Sequence, residues 1–381
     1  MKGQVRPALP SGLTGVASRR GALLGILAAS ALAWGAGSAL ADEAASLEHA
    51  RQETPPSWAG PTTPAKAPAG IKVGIISCGA QFRGCQAPAD AAFEAAKKIG
   101  WTPTMYDGAG TQEKQNASIL DAISAGANVI LTVSIDPRFI QLALQTAKKA
   151  GVPMISGSAG IDTPNPVIKP EGDNLTHVLD VGTDYPGVGR HVAEWIVADS
   201  GGKANVLVYT DEEFYSVTAT VDGLLEGLKK CSGCVVSPLQ KFTASQVATN
   251  VGQMVVGYLQ SHPEVTYVYA PYDPSAVFMV NAIVQAGLAD KIKVASIVGA
   301  AQNLDFIRQG RVQVLDGAFD NAYMGYAMVD QAIRVLNKQP LFEPHDEGTP
   351  YQILDKTNLP PEGQDWATKS DYKERFLKLW Q

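Results

Sequence analysis

The chain has no surplus of positive charge. Its 31 Lys and Arg stand against 37 Asp and Glu, and without a basic cluster it is a poor candidate for binding nucleic acid. Catalytic signatures are missing too: there is no G-x-S-x-G, no H-E-x-x-H, no G-x-x-x-x-G-K-[ST] and no G-x-G-x-x-G. The five histidines are scattered, and none has an obvious partner in sequence. No enzyme, no cofactor and no metal is expected. Apolar runs are short as well. The longest, about Ala22 to Trp34, covers roughly a dozen residues, fewer than the ~20 that cross a bilayer.

What that run does fit is export. Residues 1–41 carry Lys2, Arg6, Arg19 and Arg20 with no acid, then the apolar run, then Ala39-Leu40-Ala41. This is the basic, apolar and small-residue order of a cleaved signal peptide. "SRRGALL" resembles a degenerate twin-arginine signal, with Ala22 where a bulkier apolar residue is usual. The predicted mature chain has a net charge near −10 and holds all four cysteines, Cys78, Cys85, Cys231 and Cys234. An even count in an exported protein favours disulfides, paired by neighbourhood as Cys78–Cys85 and Cys231–Cys234. Residues 42–69, rich in Pro, Ala and acid, read as an extended leader on the surface or disordered.

From Ile71 onward, apolar β-type runs alternate with amphipathic helical stretches. "IKVGII", "TPTMYD", "NVILTVS", "VPMISG" and "HVLDVG" are followed by "ANVLVYT", "VVSPLQ", "TYVYA", "KVASIV" and "VQVLDGAF". Between them lie "PADAAFEAAKKIG", "RFIQLALQTAKKAG", "SVTATVDGLLEGLKK" and "PSAVFMVNAIVQAG", several ending in Lys and then Gly as helices do. Strands that are apolar throughout need helices on both faces, which predicts α/β lobes with parallel sheets. The pattern occurs twice, at roughly 71–182 and 204–300, so two similar Rossmann-like lobes are expected, with ligands at the carboxyl ends of the strands.

"GANVILTVSIDPRFIQLALQTAKKAGVPMIS", "VGTDYPGVGRHVAEWI", "TVDGLLEGLKK", "TYVYAPYDPSAVFMVNAIVQAG" and "DFIRQGRVQVLDGAFDNAYMGYAMVDQAIRVL" follow in order the landmarks of one family. Over about residues 70–340 the chain resembles the type I periplasmic binding proteins of the ribose-binding kind. The resemblance implies two lobes joined by three hinge crossings, one small ligand in the cleft between them, and delivery to the membrane permease of an ABC importer. A sensory role, in which the bound form is presented to a chemoreceptor or sensor kinase, is the alternative. The lobes would comprise 70–183 with 320–345, and 184–319 with 346–381. Crossings would fall near Gly182–Pro186, Val298–Asn303 and Phe319–Tyr323. A periplasmic monomer is expected.

The expected ligand contacts are Phe82, Arg83, Asp136, Phe139, Ser158, Asp184, Phe214, Tyr215, Thr220, Tyr272, Asp273, Val298, Phe319 and Asn321. Measured against the family's sugar binders, the chain departs at most anchors. Ser158 and Ala159 stand where those carry an Asp-Arg pair, and Thr220 where they carry Arg. Tyr272 replaces Asn, Val298 replaces Asp, and Phe319 replaces Gln. Each lost partner would strand a buried sugar hydroxyl at ~1–3 kcal/mol. A ligand with an aromatic or apolar face and few hydroxyls is one reading. The other is a sugar held by neighbouring Asp136, Asp184, Asp273, Asp320 or Asn321.

Three local features bear on the cleft. The Cys78–Cys85 bridge would either preorganise Phe82 for binding or only stabilise its loop. "TDEEFYS" at Asp211–Glu213 could meet an ammonium group or form a solvated helix cap. Arg83 and Arg138 could meet a carboxylate or lie exposed. "KKCSGCVV" follows a helix end, where a redox C-x-x-C would begin one, so a structural disulfide is expected. The C-terminal "DYKERFLKLWQ" is predicted to pack Phe376, Leu377 and Trp380 back on a lobe.

Overall fold

The computed structural model describes residues 44–159 and 177–381. The expected signal segment, 1–41, lies outside the described residues. Among these, no helix is long and apolar enough to cross a membrane.

Strand β1 (Lys72–Ser77) is buried after its first residue and β3 (Val129–Val133) throughout. With no face for water, both need cover on two sides. Helices α2 (Arg83–Lys98), α3 (Gln112–Ser124) and α4 (Gln141–Ala150) supply part of it. Helix α4 stops as its sequence predicts: Lys148 and Lys149 occupy the last turn, and Gly151 takes the left-handed conformation at φ +68°. With β2 (Thr102–Asp107), β4 (Met154–Gly157) and β5 (His177–Val181), these strands form a parallel sheet in the order β2-β1-β3-β4-β5.

After α5 (Tyr185–Asp199) the pattern restarts with β6 (Asn205–Thr210) and α6 (Tyr215–Lys229). The run "VVSPLQ" does not form one strand. Pro238 cannot donate to a ladder, and the run breaks into β7 (Val235–Val236) and β8 (Gln240–Lys241). Next come α7 (Val251–Ser261), β9 (Tyr267–Tyr269), α8 (Asp273–Gln285), β10 (Lys293–Val298), α9 (Ala301–Arg308) and β11 (Gln313–Phe319). The second sheet runs β12-β11-β10-β9-β6-β7, where β12 is Tyr351–Leu354. It is mixed rather than purely parallel, because β12 pairs antiparallel with β11 from Asp316↔Leu354 to Phe319↔Tyr351.

The chain passes between the sheets three times. It leaves the first sheet after β5, returns after β11 when α10 (Asn321–Leu336) packs on α2 and β4, and goes back through 337–350 to β12. The crossing expected at Val298–Asn303 is not found there. β10 and β11 are hydrogen-bonded neighbours, and α9 between them packs on β11. Val298 and Gly299 both have positive φ, +124° and +82°, so the chain turns back over its own sheet.

The leader is extended but far from disordered. Ala50 and Ala65 are fully buried, and Thr54 bridges to Tyr351. The Trp58 ring packs on Tyr323 and Phe376, and Arg51 donates to Asp355. A short helix, α1 (44–50), opens its described part. At the other end α11 (Tyr372–Leu379) packs on α10, burying Phe376 and Trp380 and half-burying Leu377. The Trp380 Nε1 donates to Asp330, which also pairs with Arg334. Both disulfides form as paired from the sequence.

Candidate functional site

At the carboxyl ends of the strands lies a cleft enclosing about 490 Å³, its solvent-filled mouth included. From the side of the first sheet come Phe82, Gly84, Cys85, Ser134 and Ser158. The second contributes Phe214, Ser216, Val217, Tyr272, Pro274, Ile297 and Val298, and Phe319 stands where the chain crosses between sheets.

Backbone conformation sets several of these residues. Ser134, Ser158 and Val298 each follow or close a strand, and all three have positive φ, at +52°, +62° and +124°. Non-glycine residues adopt this region at a cost of order 1–3 kcal/mol, and β-branched Val298 is the most strained of them. Phe82 is fixed differently. It precedes the first turn of α2, its carbonyl accepts from the Cys85 and Gln86 amides, and the disulfide spans it from the end of β1. Its ring meets Phe214 and Tyr272 edge-on at 6.4 Å each. Phe214 and Tyr272 meet at 6.0 Å, and Tyr185 stands behind Phe319 at 5.6 Å. Phe82, from the first-sheet side, therefore closes onto Phe214 and Tyr272 from the second.

Six of the sequence-derived candidates thus meet at the cleft: Phe82, Ser158, Phe214, Tyr272, Val298 and Phe319. The others lie elsewhere. Arg83 pairs with Asp365 at 2.6 Å and with Asp90 at 3.6 Å. Asp136 is buried and accepts from the backbone and side chain of Arg138, whose guanidinium stacks over Phe139. Asp184 caps α5 through the Gly187 amide. Thr220, mid-helix in α6, donates to the Ser216 carbonyl. Tyr215 is buried between the lining residues Phe214 and Ser216. Asn321 donates to the carbonyls of Val298 and Phe319, leaving its buried Oδ1 without a donor. Sequence reading missed Gly84, Cys85, Ser134, Ser216, Val217, Pro274 and Ile297, although each lies within about three residues of a strand end or a lining aromatic residue.

The acidic groups around the cleft are bonded to the protein's own groups. Asp211 accepts from the Glu213 amide and the Tyr272 hydroxyl at 2.8 Å. Glu213 accepts from the Ala244 amide, and Glu212 pairs with Lys241. The acidic turn is therefore committed to the protein's own groups and offers no free carboxylate for an ammonium. Asp273 receives the Ala300 amide, Asp316 the Gly299 amide, and Asp320 the amides of Ala322, Tyr323 and Thr368.

Burial pushes Asp211 up to about 7 and Asp316 and Asp320 up to about 6. Asp273 is driven well above the carboxylate range by burial and by the Asp316 charge. A carboxyl with a raised folded pKa keeps a proton that the unfolded chain releases, so its stability contribution is full below about pH 4 and is lost as pH rises through the folded value. Glu94 and Asp355, held low by their hydrogen-bonded cations and, for Asp355, Thr357 against the cost of burial, contribute in the opposite sense, but only near pH 4 and below. Urea unfolding is expected to show greater stability at pH 5 than at pH 8, each raised group adding up to about 1.4 kcal/mol per pH unit inside its window. Asp211→Asn should flatten the segment between pH 5 and 7. A curve that rises from pH 5 to 8 would refute this account.

With the geometry in place, the class is clear: two three-layered α/β lobes with a cleft between their strand ends. The chain belongs to the periplasmic binding protein family, whose periplasmic binding protein domain matches residues 73–340. It is a solute-binding protein and not an enzyme. Similar solved structures include an ABC transporter solute-binding protein from Agrobacterium vitis with bound α-D-tagatopyranose, at 20% identity and TM-score 0.67, covering 76% of this chain and 96% of that one. Another, from Mycobacterium smegmatis with bound glycerol, has 21% identity and TM-score 0.66, covering 78% and 99%. A third, from Actinobacillus succinogenes with bound D-allose, has 19% identity and TM-score 0.65, covering 75% and 98%. No curated protein matches the chain.

Proposed function

We propose that this protein works in the periplasm as the receptor of an ABC importer, holding one small molecule with an aromatic or apolar face and few hydroxyls, and presenting it to the permease. The observation that carries the ligand class is the cleft's lining. Phe82, Phe214, Tyr272, Val298 and Phe319 face it, while the carboxylates nearby are bonded to the protein itself. A polyol would find mainly the hydroxyls of Ser134, Ser158 and Ser216, and Ser158 is already bonded to Tyr185.

A sugar is the second reading, favoured by similar folds that hold tagatopyranose and allose. Thermal unfolding of the purified protein against both classes separates the two, because a ligand of the native state raises the midpoint. Aromatic acids, alcohols and amphiphiles form one arm of the panel; pentoses, hexoses and cyclitols form the other. A shift with an aromatic or apolar compound, abolished in Phe319→Ala, is the expected result. A shift with sugars alone would overturn the ligand class and leave the binding-protein assignment intact.

A further inference from the structure

Away from the cleft, three potential metal ligands meet where the leader touches α5. His49 stands on α1, and His191 and Glu194 stand one turn apart on α5. One ligand atom from each lies within 4.8 Å of the other two. The His49 Nδ1 lies 3.1 and 3.0 Å from the two Glu194 oxygens, and the two imidazoles meet at right angles with centroids 5.1 Å apart.

An ion pair between His49 and Glu194 accounts for only two of the three. His191 has a buried Nδ1 with no hydrogen-bond partner, an unfavourable state for a polar atom shut away from water. The neighbouring cation, Arg190, is turned to Asp184 and Glu226, so it does not take the Glu194 charge. Two imidazoles and a carboxylate are the ligand set of a late first-row divalent ion such as zinc, with water in a fourth position. At Zn–N and Zn–O lengths of ~2.0–2.2 Å, tetrahedral donors lie roughly 3.4 Å apart. The three ligand atoms, all within 4.8 Å of one another, would have to draw together by at most about 1.4 Å to reach that spacing, and His49, whose side chain is 61% exposed, has room to turn.

We propose that His49, His191 and Glu194 bind one zinc-type divalent cation that clips the leader to α5. The site would add to the contacts that already hold the leader, such as Arg51 on Asp355, a group that also accepts from Trp195 on α5. It does not depend on which solute fills the cleft.

The test is titration of zinc chloride into the tag-free, chelator-stripped full chain by calorimetry, with limited proteolysis of the leader in parallel. One zinc per chain at micromolar affinity or tighter is expected, with slower cleavage between residues 46 and 57. His49→Ala, on an exposed position, and Glu194→Gln should each weaken zinc at least tenfold and abolish the protection. His191→Ala removes a ring packed on Tyr351, so His49→Ala is the variant on which the proposal stands. No saturable zinc binding, or binding unchanged in His49→Ala, would overturn it.

Discussion

Gly223→Ala is expected to destabilise the protein by roughly 3 kcal/mol or more, a fall in Tm of roughly 6–12 °C for a domain of this size class. Helices α5 and α6 approach backbone to backbone. A Cβ on Gly223 would stand 2.0 Å from the Pro186 carbonyl oxygen, and one on Gly189 would stand 2.0 Å from that of Thr220. Neither obstacle is a side chain that can rotate away, so the helices must part along a close-packed seam. Because α5 starts with Tyr185, whose hydroxyl is bonded to Ser158 and whose ring backs Phe319, ligand affinity should fall as well. Gly257→Ala is the control. It lies in α7 with nothing within 4 Å of the added carbon, and relief of backbone entropy should stabilise it by about 0.5–1 kcal/mol. Equal melting temperatures for the two variants would show that the seam tolerates separation.

That seam also explains one limit of the sequence reading. Thr220, expected from the resemblance to stand at the ligand, lies in the α5–α6 contact with its hydroxyl on the Ser216 carbonyl. A mid-helix residue gives no sign in sequence of which neighbour its face meets. Strand runs were legible because burial on both faces leaves an uninterrupted apolar string, as in β1 and β3. β12 was not, since its four residues gain their place from distant pairing with β11. The leader's Pro and Ala composition suggested looseness, and what fixes it, Trp58 on Phe376 and Arg51 on Asp355, acts over some 300 residues of separation. His49 and His191 are likewise too far apart in sequence to read as a pair. The aromatic residues of the cleft were legible because Phe82, Phe214 and Tyr272 each follow a strand by a few residues. There, topology alone carries a side chain to the site.

Tyr272→Ala should lower affinity for the cognate ligand at least 100-fold, about 2.7 kcal/mol, while Tyr272→Phe should stay within a few-fold of the wild type. The ring sits at the centre of an aromatic cluster, with Phe82 at 6.4 Å, Phe214 at 6.0 Å and Phe242 at 5.8 Å, all near edge-to-face. Such pairs contribute ~0.5–1.5 kcal/mol each beyond their buried area, so removing the ring loosens the facing walls as well as the contact surface. Its hydroxyl donates to Asp211 rather than to the cavity. Phenylalanine keeps the wall and removes only that donor, which should raise the Asp211 pKa further by withdrawing a bond to its charged form. Calorimetric titration of the three proteins with the compound that raises the midpoint most separates the two ligand classes. If Tyr272→Phe loses affinity as severely as Tyr272→Ala, the hydroxyl must turn into the cleft on binding, and recognition there is polar rather than through the aromatic face.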